Sequence, residues 1–138
     1  MVRTHRFSLQ TKGNDDMHDI TPFVEEAIAS GAISSGIATV FVVGSTAAIT
    51  TIEYEPGLQK DMAAAMERIA PKDAYYAHEE RWGDDNGHAH IRASLVGPAL
   101  VVPFTEKKLA LGTWQQIVLI DFDTRPRSRT IIVQTLGE

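Results

Sequence analysis

The chain contains no cysteine. Disulfides, thiolate metal sites and cysteine nucleophiles are therefore excluded, and a cytoplasmic setting is expected. No apolar run approaches the roughly 18 residues of a membrane span. The opening MVRTHRFSLQ lacks the apolar stretch of a signal peptide, so neither a membrane nor a secretory route is expected. Basic residues are in the minority. Thirteen Lys and Arg against 18 Asp and Glu leave a net charge of −5, which argues against nucleic acid or an anionic membrane as the main partner. There is no internal repeat and no low-complexity tract. What is present is an ordinary globular composition over 138 residues, 43% hydrophobic and 22% charged. That length supports one sizeable core and not two.

The hydrophobic pattern changes period along the chain. Val2 to Thr11 alternates loosely and reads as an exposed first strand. KGNDD, at 12–16, supplies turn residues. Thr21-Pro22 predicts an N-cap followed by proline at the first helical position. Phe23, Val24, Ala27 and Ile28 are the expected inner face of this helix, and Gly31 its stop. Ile37 to Val43 is a β-branched run and predicts a buried strand, broken by Gly44. AAITTIEYE predicts the next strand, ending near Glu55. Pro56 opens a second helix with Leu58, Met62, Met66 and Ile69 on one face, where the methionines read as core filler. Pro71 to Gly87 shows no periodicity and forms the longest loop. HIRASL suggests a short helix. ALVVPF, KLALGTW, QQIVLIDF and TIIVQTL are four β-type segments joined by short links, which implies antiparallel pairing. Two to three short helices among seven strand candidates predict a single α+β domain.

Chemistry concentrates in three stretches. DDNGHAH, at 84–90, holds His88 and His90, and His78 belongs to the same loop. On an extended segment, positions two apart share a face; on a helix they diverge by about 200°. Joint chelation by His88 and His90 therefore depends on a local turn, which Gly87 permits. With His78 as third nitrogen, the set suits zinc or a related metal with one position left open. The plain alternative is a solvated polar loop. GSTAAITT follows a buried strand, and the backbone amides of Ser45-Thr46 can hold a phosphate. The Gly-Lys-Ser/Thr ending of a P-loop is absent, and an ordinary turn is the alternative. Glu53 and Glu55 lie two apart on the following strand and offer a general base or a metal ligand. In RPRSR, Arg125, Arg127 and Arg129 alternate, so an extended chain points them together, and their forks match phosphate oxygens. A solvated hairpin tip is the alternative there. Trp114 is most simply core, and Gln115-Gln116 need partners if buried.

GSTAAITTIEYEPGLQKDM, YYAHEERWGDDNGHAHIRASLVGPALVVPF and LALGTWQQIVLIDFDTRPRSRTIIVQTLGE resemble the YjbQ-like family, also called secondary thiamine-phosphate synthase. NGHAHIRASLVGP and LGTWQ are the most specific marks. The resemblance implies a compact α+β domain built on an antiparallel β-sandwich, assembled as a homotrimer. It implies a weak transfer that joins the pyrimidine and thiazole halves of thiamine phosphate. Carried over residue by residue, it matches the family's histidines to His78, His88 and His90, its strand-end glutamate to Glu53, its G-T-W-Q to Gly112–Gln115, and its arginines to Arg127 and Arg129. Many members have His-Thr where this chain has Gly44-Ser45, which removes one candidate ligand or base.

The resulting expectation is a cytoplasmic trimer that takes a phosphorylated small molecule and neither nucleic acid nor membrane. Its catalytic residues are expected to be His78, His90 and Glu53. Substrate contacts are expected from Ser45, Thr46, Trp114, Gln115, Arg127 and Arg129, and a divalent metal, zinc or magnesium, on His78, His88 and His90. The rival expectation is a non-catalytic protein that binds a phosphate metabolite or a metal.

Overall fold

Alternation of apolar and polar residues along the strands builds two antiparallel sheets in this computed structural model, which describes residues 1–138. The elements in chain order are β1 (Val2–Thr11), β2 (Asp16–Asp19), α1 (Thr21–Ser30), β3 (Gly36–Val43), β4 (Ala47–Ile52), α2 (Pro56–Ile69), α3 (Glu79–Trp82), α4 (Gly87–Val96), β5 (Ala99–Thr105), β6 (Lys108–Leu109), β7 (Gln116–Asp121) and β8 (Arg127–Gly137). The larger sheet runs β1-β8-β3-β5-β6 and the smaller β2-β7-β4. The expected α+β class and antiparallel pairing hold, with four helices in place of two or three.

The smaller sheet is the middle layer. Side chains on a strand alternate between its two faces, and β7 uses both. Ile117 and Leu119 face a core shared with β3, β5, β8 and α1, whereas Val118 and Ile120 face a second core with Met66 of α2 and Ala89 and Ala93 of α4. This two-sided burial explains why IVLI reads as one continuous apolar run. β4 follows the same rule: Ala47 and Ile49 belong to the first core and Ala48 to the second.

Several boundaries differ from the sequence reading. The expected KGNDD turn contracts to four residues, Lys12 to Asp15, the last three with positive φ, because Asp16–Asp19 pairs with β7. Thr21 is the first helical residue rather than the cap. Its Oγ1 accepts the Ile117 amide at 2.8 Å, which ties α1 to β7. Phe23 does not face the core; it lies half-exposed and stacks on Phe7. β4 ends at Ile52, and the Glu55 carboxylate caps α2 by accepting the Gly57 and Leu58 amides. Of the α2 methionines only Met66 is buried, and Ile69 is exposed. The long loop contains the single turn α3, and α4 starts at Gly87 rather than at His90. KLALGTW is not one strand: only Lys108 and Leu109 pair, and Trp114 is 73% exposed. Composition alone suggests a buried tryptophan, but the chain leaves the sheet before reaching it.

Leu119 is fully buried in the first core. Truncating such a side chain removes transfer energy and leaves a cavity, so Leu119→Ala is expected to destabilise the fold by about 2–5 kcal/mol. Leu95, mostly exposed on α4, is the control, with an expected effect within about 0.5 kcal/mol. Urea unfolding of the two variants checks the contrast.

Candidate functional site

Three segments meet at one end of the smaller sheet. They are the β3–β4 turn at Gly44–Thr46, the loop at Asp84–Asn86 with His90 of α4, and the β7–β8 link with the start of β8. Between them lies a cleft of about 390 Å³ with no hydrophobic side chain in its lining.

Its floor is a network of buried ions. Asp121 is 0% exposed and Asp123 is 1% exposed. Arg129 donates from Nε to Asp121 Oδ2 at 2.7 Å and from Nη2 to Asp121 Oδ1 at 3.0 Å. The same Nη2 donates to Thr46 Oγ1 at 2.6 Å, and Thr46 donates to Asp123 Oδ2 at 2.8 Å. Asn86 Nδ2 and Arg127 Nε each reach Asp123 Oδ2 at 3.1 Å. Burial alone would raise the Asp123 pKa. Donors from Asn86, Thr46, the Arg125 amide and Arg127 outweigh it and hold the carboxyl at about 2.

Arg127 and Arg129 do converge, as their alternation predicts, but they converge on Asp121 and Asp123 rather than on an open anion pocket. This corrects the expected role: most of their charge is balanced inside the protein. One edge stays available. Arg129 Nη1 has no protein partner and faces Gly44, where a Cβ would lie only 2.6 Å away. Gly44 also holds φ +137°, a region that favours glycine. A histidine at this position would need a different backbone and would displace the guanidinium.

The three histidines separate. Because α4 begins at Gly87, His88 and His90 lie on a helix and point roughly 200° apart. His90 faces the cleft and packs against His78, ring centroids 4.5 Å apart. His88 is buried on the other side, tilted against Tyr76 at 6.4 Å. The expected trio of imidazole ligands is therefore not assembled. Burial lowers the His88 pKa first, with Arg92 adding to the effect. Burial also lowers that of His90, with His78 second, against opposing contributions from Asp84, Asp123 and the Ser45 backbone. Both imidazoles favour the neutral form.

His78 instead joins two carboxylates. One ligand atom from each of His78, Glu79 and Asp84 lies within 4.8 Å of the others. His78 Nδ1 stands 3.3 Å from Asp84 Oδ1 but is not aligned for a hydrogen bond. It and Glu79 Oε1 are buried without partners.

Glu53, Trp114 and Gln115 lie elsewhere. Glu53 and Trp114 border a separate cleft of about 430 Å³ with Asp19, Tyr54 and Glu55. Glu53 follows the far end of β4 from the Gly44–Thr46 turn, and a six-residue strand spans about 20 Å. Gln115 accepts the Gly112 amide at 3.1 Å and donates to Thr51 at 3.3 Å, holding its own loop. Within one chain these residues do not join the histidine cleft.

Asp121, Asp123 and Asn86 were missed by the sequence reading. A signal was available: the two aspartates lie two apart at the end of an apolar strand, immediately before arginines with the same spacing.

Together these features define an α+β protein of two antiparallel sheets with a polar, histidine-bearing cleft at one sheet end. The model of the family "UPF0047 protein YjbQ-like" matches residues 5–138. The chain is 38% identical over 129 residues to a UPF0047 protein of Archaeoglobus fulgidus, covering 94% of this chain and 98% of that one. It is 35% identical over 139 residues to the UPF0047 protein YugU of Bacillus subtilis, covering 99% and 100%. A crystal structure of a YbjQ-like protein of unknown function from Sulfolobus solfataricus P2 superposes with a TM-score of 0.89 at 34% identity, over 100% of both chains. An uncharacterized conserved YjbQ/UPF0047 protein from Clostridium acetobutylicum gives 0.87 at 36% identity, over 96% and 99%. The chain belongs to the YjbQ-like UPF0047 family.

The depressed Asp123 pKa has a consequence for acid stability. Its folded value, about 2, lies below the ordinary 3.8. The associated stability is therefore present above about pH 4 and is lost as pH falls towards 2. The difference corresponds to about 2 kcal/mol. Urea unfolding between pH 5 and pH 2 is expected to show this loss, and Asp123→Asn to show a shallower dependence by about that amount.

Proposed function

We propose that this protein is a transferase for a small phosphorylated molecule, with the substrate's oxyanion at the Gly44–Arg129 edge of the cleft and His90 as the proton-transfer group. One observation carries the reading: the free Nη1 edge of a buried arginine and the imidazole of His90, which packs on His78, border the same polar cleft. A phosphate oxygen accepts from Arg129 Nη1, and Ser45, on the same rim, adds a hydroxyl donor. Arg127 is half-exposed and supplies a second guanidinium at the mouth. Burial lowers the His90 pKa and favours its neutral form, in which the imidazole can accept a hydrogen bond or a proton from the bound molecule.

The resemblance supplies a specific version of this chemistry: displacement of pyrophosphate from a pyrimidine diphosphate by a thiazole phosphate. In that reaction Arg127 and Arg129 stabilise the departing pyrophosphate. The thiazole nitrogen forms its bond to the pyrimidine's methylene carbon as the carbon–oxygen bond to pyrophosphate breaks. That nitrogen carries no proton, so in this version His90 acts by contact with the reacting groups rather than as a base, and Glu53, which borders the other cleft, takes no part. Gly44, in place of the histidine found in many members, favours the rival reading of a binding protein without turnover. Because Asp121 and Asp123 balance the arginines, the cleft selects an anion by donor geometry more than by net charge.

The test is product formation from the two paired substrates, followed by mass spectrometry, with inorganic phosphate titrated calorimetrically alongside. The wild type is expected to form product, and His90→Ala to lose it with folding intact. Arg127→Gln should weaken phosphate binding about tenfold or more, the equivalent of one charge-assisted contact. Phosphate binding without product selects the binding protein. Unchanged affinity in Arg127→Gln removes the anion site.

The trimer implied by the resemblance has support on the outer face of the larger sheet. Ile37, Phe41, Val43, Val101 and Leu136 are exposed there. Ile37 is paired with Leu136 across β3 and β8, and Thr39 with Val101 across β3 and β5, so these side chains share one surface. Contiguous apolar patches of this kind mark interaction sites. No helix is long and apolar enough to cross a membrane, and the lack of cysteine supports a cytoplasmic setting. Light scattering is expected to return three times the 15.2 kDa chain mass, and Phe41→Lys to return the monomer. A monomeric wild type at micromolar concentration removes the assembly.

A further inference from the structure

We infer that His78, Glu79 and Asp84 form a binding site for a divalent first-row transition ion of the zinc type. The ligand set differs from the three imidazoles expected from the sequence, and it does not depend on the phosphate reading above. Three observations carry it.

The first is unsatisfied polarity. His78 Nδ1 and Glu79 Oε1 are both buried and have no hydrogen-bond partner. Buried polar atoms in folded proteins are nearly always paired, and an orphan calls for an explanation such as a missing ion. Here the two orphans belong to adjacent residues, and the first stands 3.3 Å from the Asp84 carboxylate. No lysine or arginine lies within ion-pair distance of Glu79 or Asp84, so the protein itself does not balance the two negative charges.

The second is spacing. His78 Nδ1 and Asp84 Oδ1 are 3.3 Å apart without hydrogen-bond alignment. Two ligands at about 2.0–2.1 Å from a tetrahedral ion stand roughly 3.4 Å apart. One ligand atom from each of His78, Glu79 and Asp84 lies within 4.8 Å of the other two.

The third is backbone support. His78 and Glu79 open the single turn α3, Gly83 ends it in the left-handed region, and Asp85 also has positive φ. These reversals return Asp84 to His78. The Asn86 amide donates to Asp84 Oδ1 at 3.2 Å, the kind of outer contact that orients a ligating carboxylate.

One imidazole and two carboxylates suit zinc, cobalt or manganese better than magnesium, which prefers oxygens and retained water. Three protein ligands leave coordination positions open. Asp84 also lines the polar cleft, so the ion sits at the rim of the proposed substrate site.

The test is calorimetric titration of Zn²⁺ into the chelator-treated full chain, with the visible spectrum of added Co²⁺ reporting ligand geometry. One ion per chain and a cobalt spectrum of low coordination number are expected. Glu79→Gln and Asp84→Asn, close in shape to the originals, are each expected to weaken binding at least tenfold while leaving the thermal unfolding midpoint of the metal-free protein unchanged. His88→Ala should leave affinity unchanged. Three results overturn the site: no Zn²⁺ binding to the wild type, wild-type affinity in both carboxamide variants, or loss of binding in His88→Ala as large as in His78→Ala.

Discussion

The Asp121–Arg129 ion pair is the constraint on which the functional end of this molecule depends. It is bidentate and almost fully removed from water. Taking one member away leaves an uncompensated buried charge, which typically costs about 3–5 kcal/mol. The pair also joins segments distant in sequence. Thr11, at the end of β1, donates to Asp121, and Thr46, in the β3–β4 turn, accepts from Arg129. Asp123 extends the network to Asn86, in front of α4. Four separate chain segments are thus fixed by two carboxylates. The cleft they surround is held in place by charge and hydrogen bonding rather than by apolar packing.

This arrangement changes what the arginines can do. A guanidinium facing open solvent attracts any anion, whereas one already paired with a carboxylate offers only its remaining N–H donors. Arg129 keeps a single edge, and Gly44 keeps that edge reachable by carrying no side chain. Glycine at position 44 is therefore a structural requirement of this turn, with positive φ and no room for a Cβ beside Arg129 Nη1. His90, favoured in its neutral form by burial, borders the same cleft.

The smaller sheet has a second consequence. Because β7 buries both faces, α4 must pack over one of them, and it does so through Ala89 and Ala93. The helix is therefore already formed at His88. Helical geometry sends His88 into the interior beside Tyr76 and leaves His90 at the cleft. A pair of histidines two apart looks like a chelating pair only if the backbone is extended, and here the packing of α4 on the sheet removes that option. His78 keeps one imidazole neighbour, His90, and otherwise meets the carboxylates of Glu79 and Asp84.

Local pattern was enough for much of the fold. β-branched and apolar runs marked β3, β4, β5, β7 and β8, the prolines at 22 and 56 marked the starts of α1 and α2, and short links implied antiparallel order. These features depend on residues within a few positions of one another, where steric preference and period act directly. The marks GTWQ and NGHAHIRASLVGP were equally legible, and they located the family. What the sequence left open was partnership. Thr46 and Arg129 are 83 residues apart, and nothing local states that Arg129 will meet Asp121 rather than a ligand. The exposure of Trp114, the separation of Glu53 from His90 and the divergence of His88 from His90 were likewise settled by how sheets and helices stack. Charge and imidazole chemistry were determined residue by residue along the chain. Which charges cancel and which remain free depends on burial, because only in the low-dielectric interior does the choice of neighbour decide a group's state.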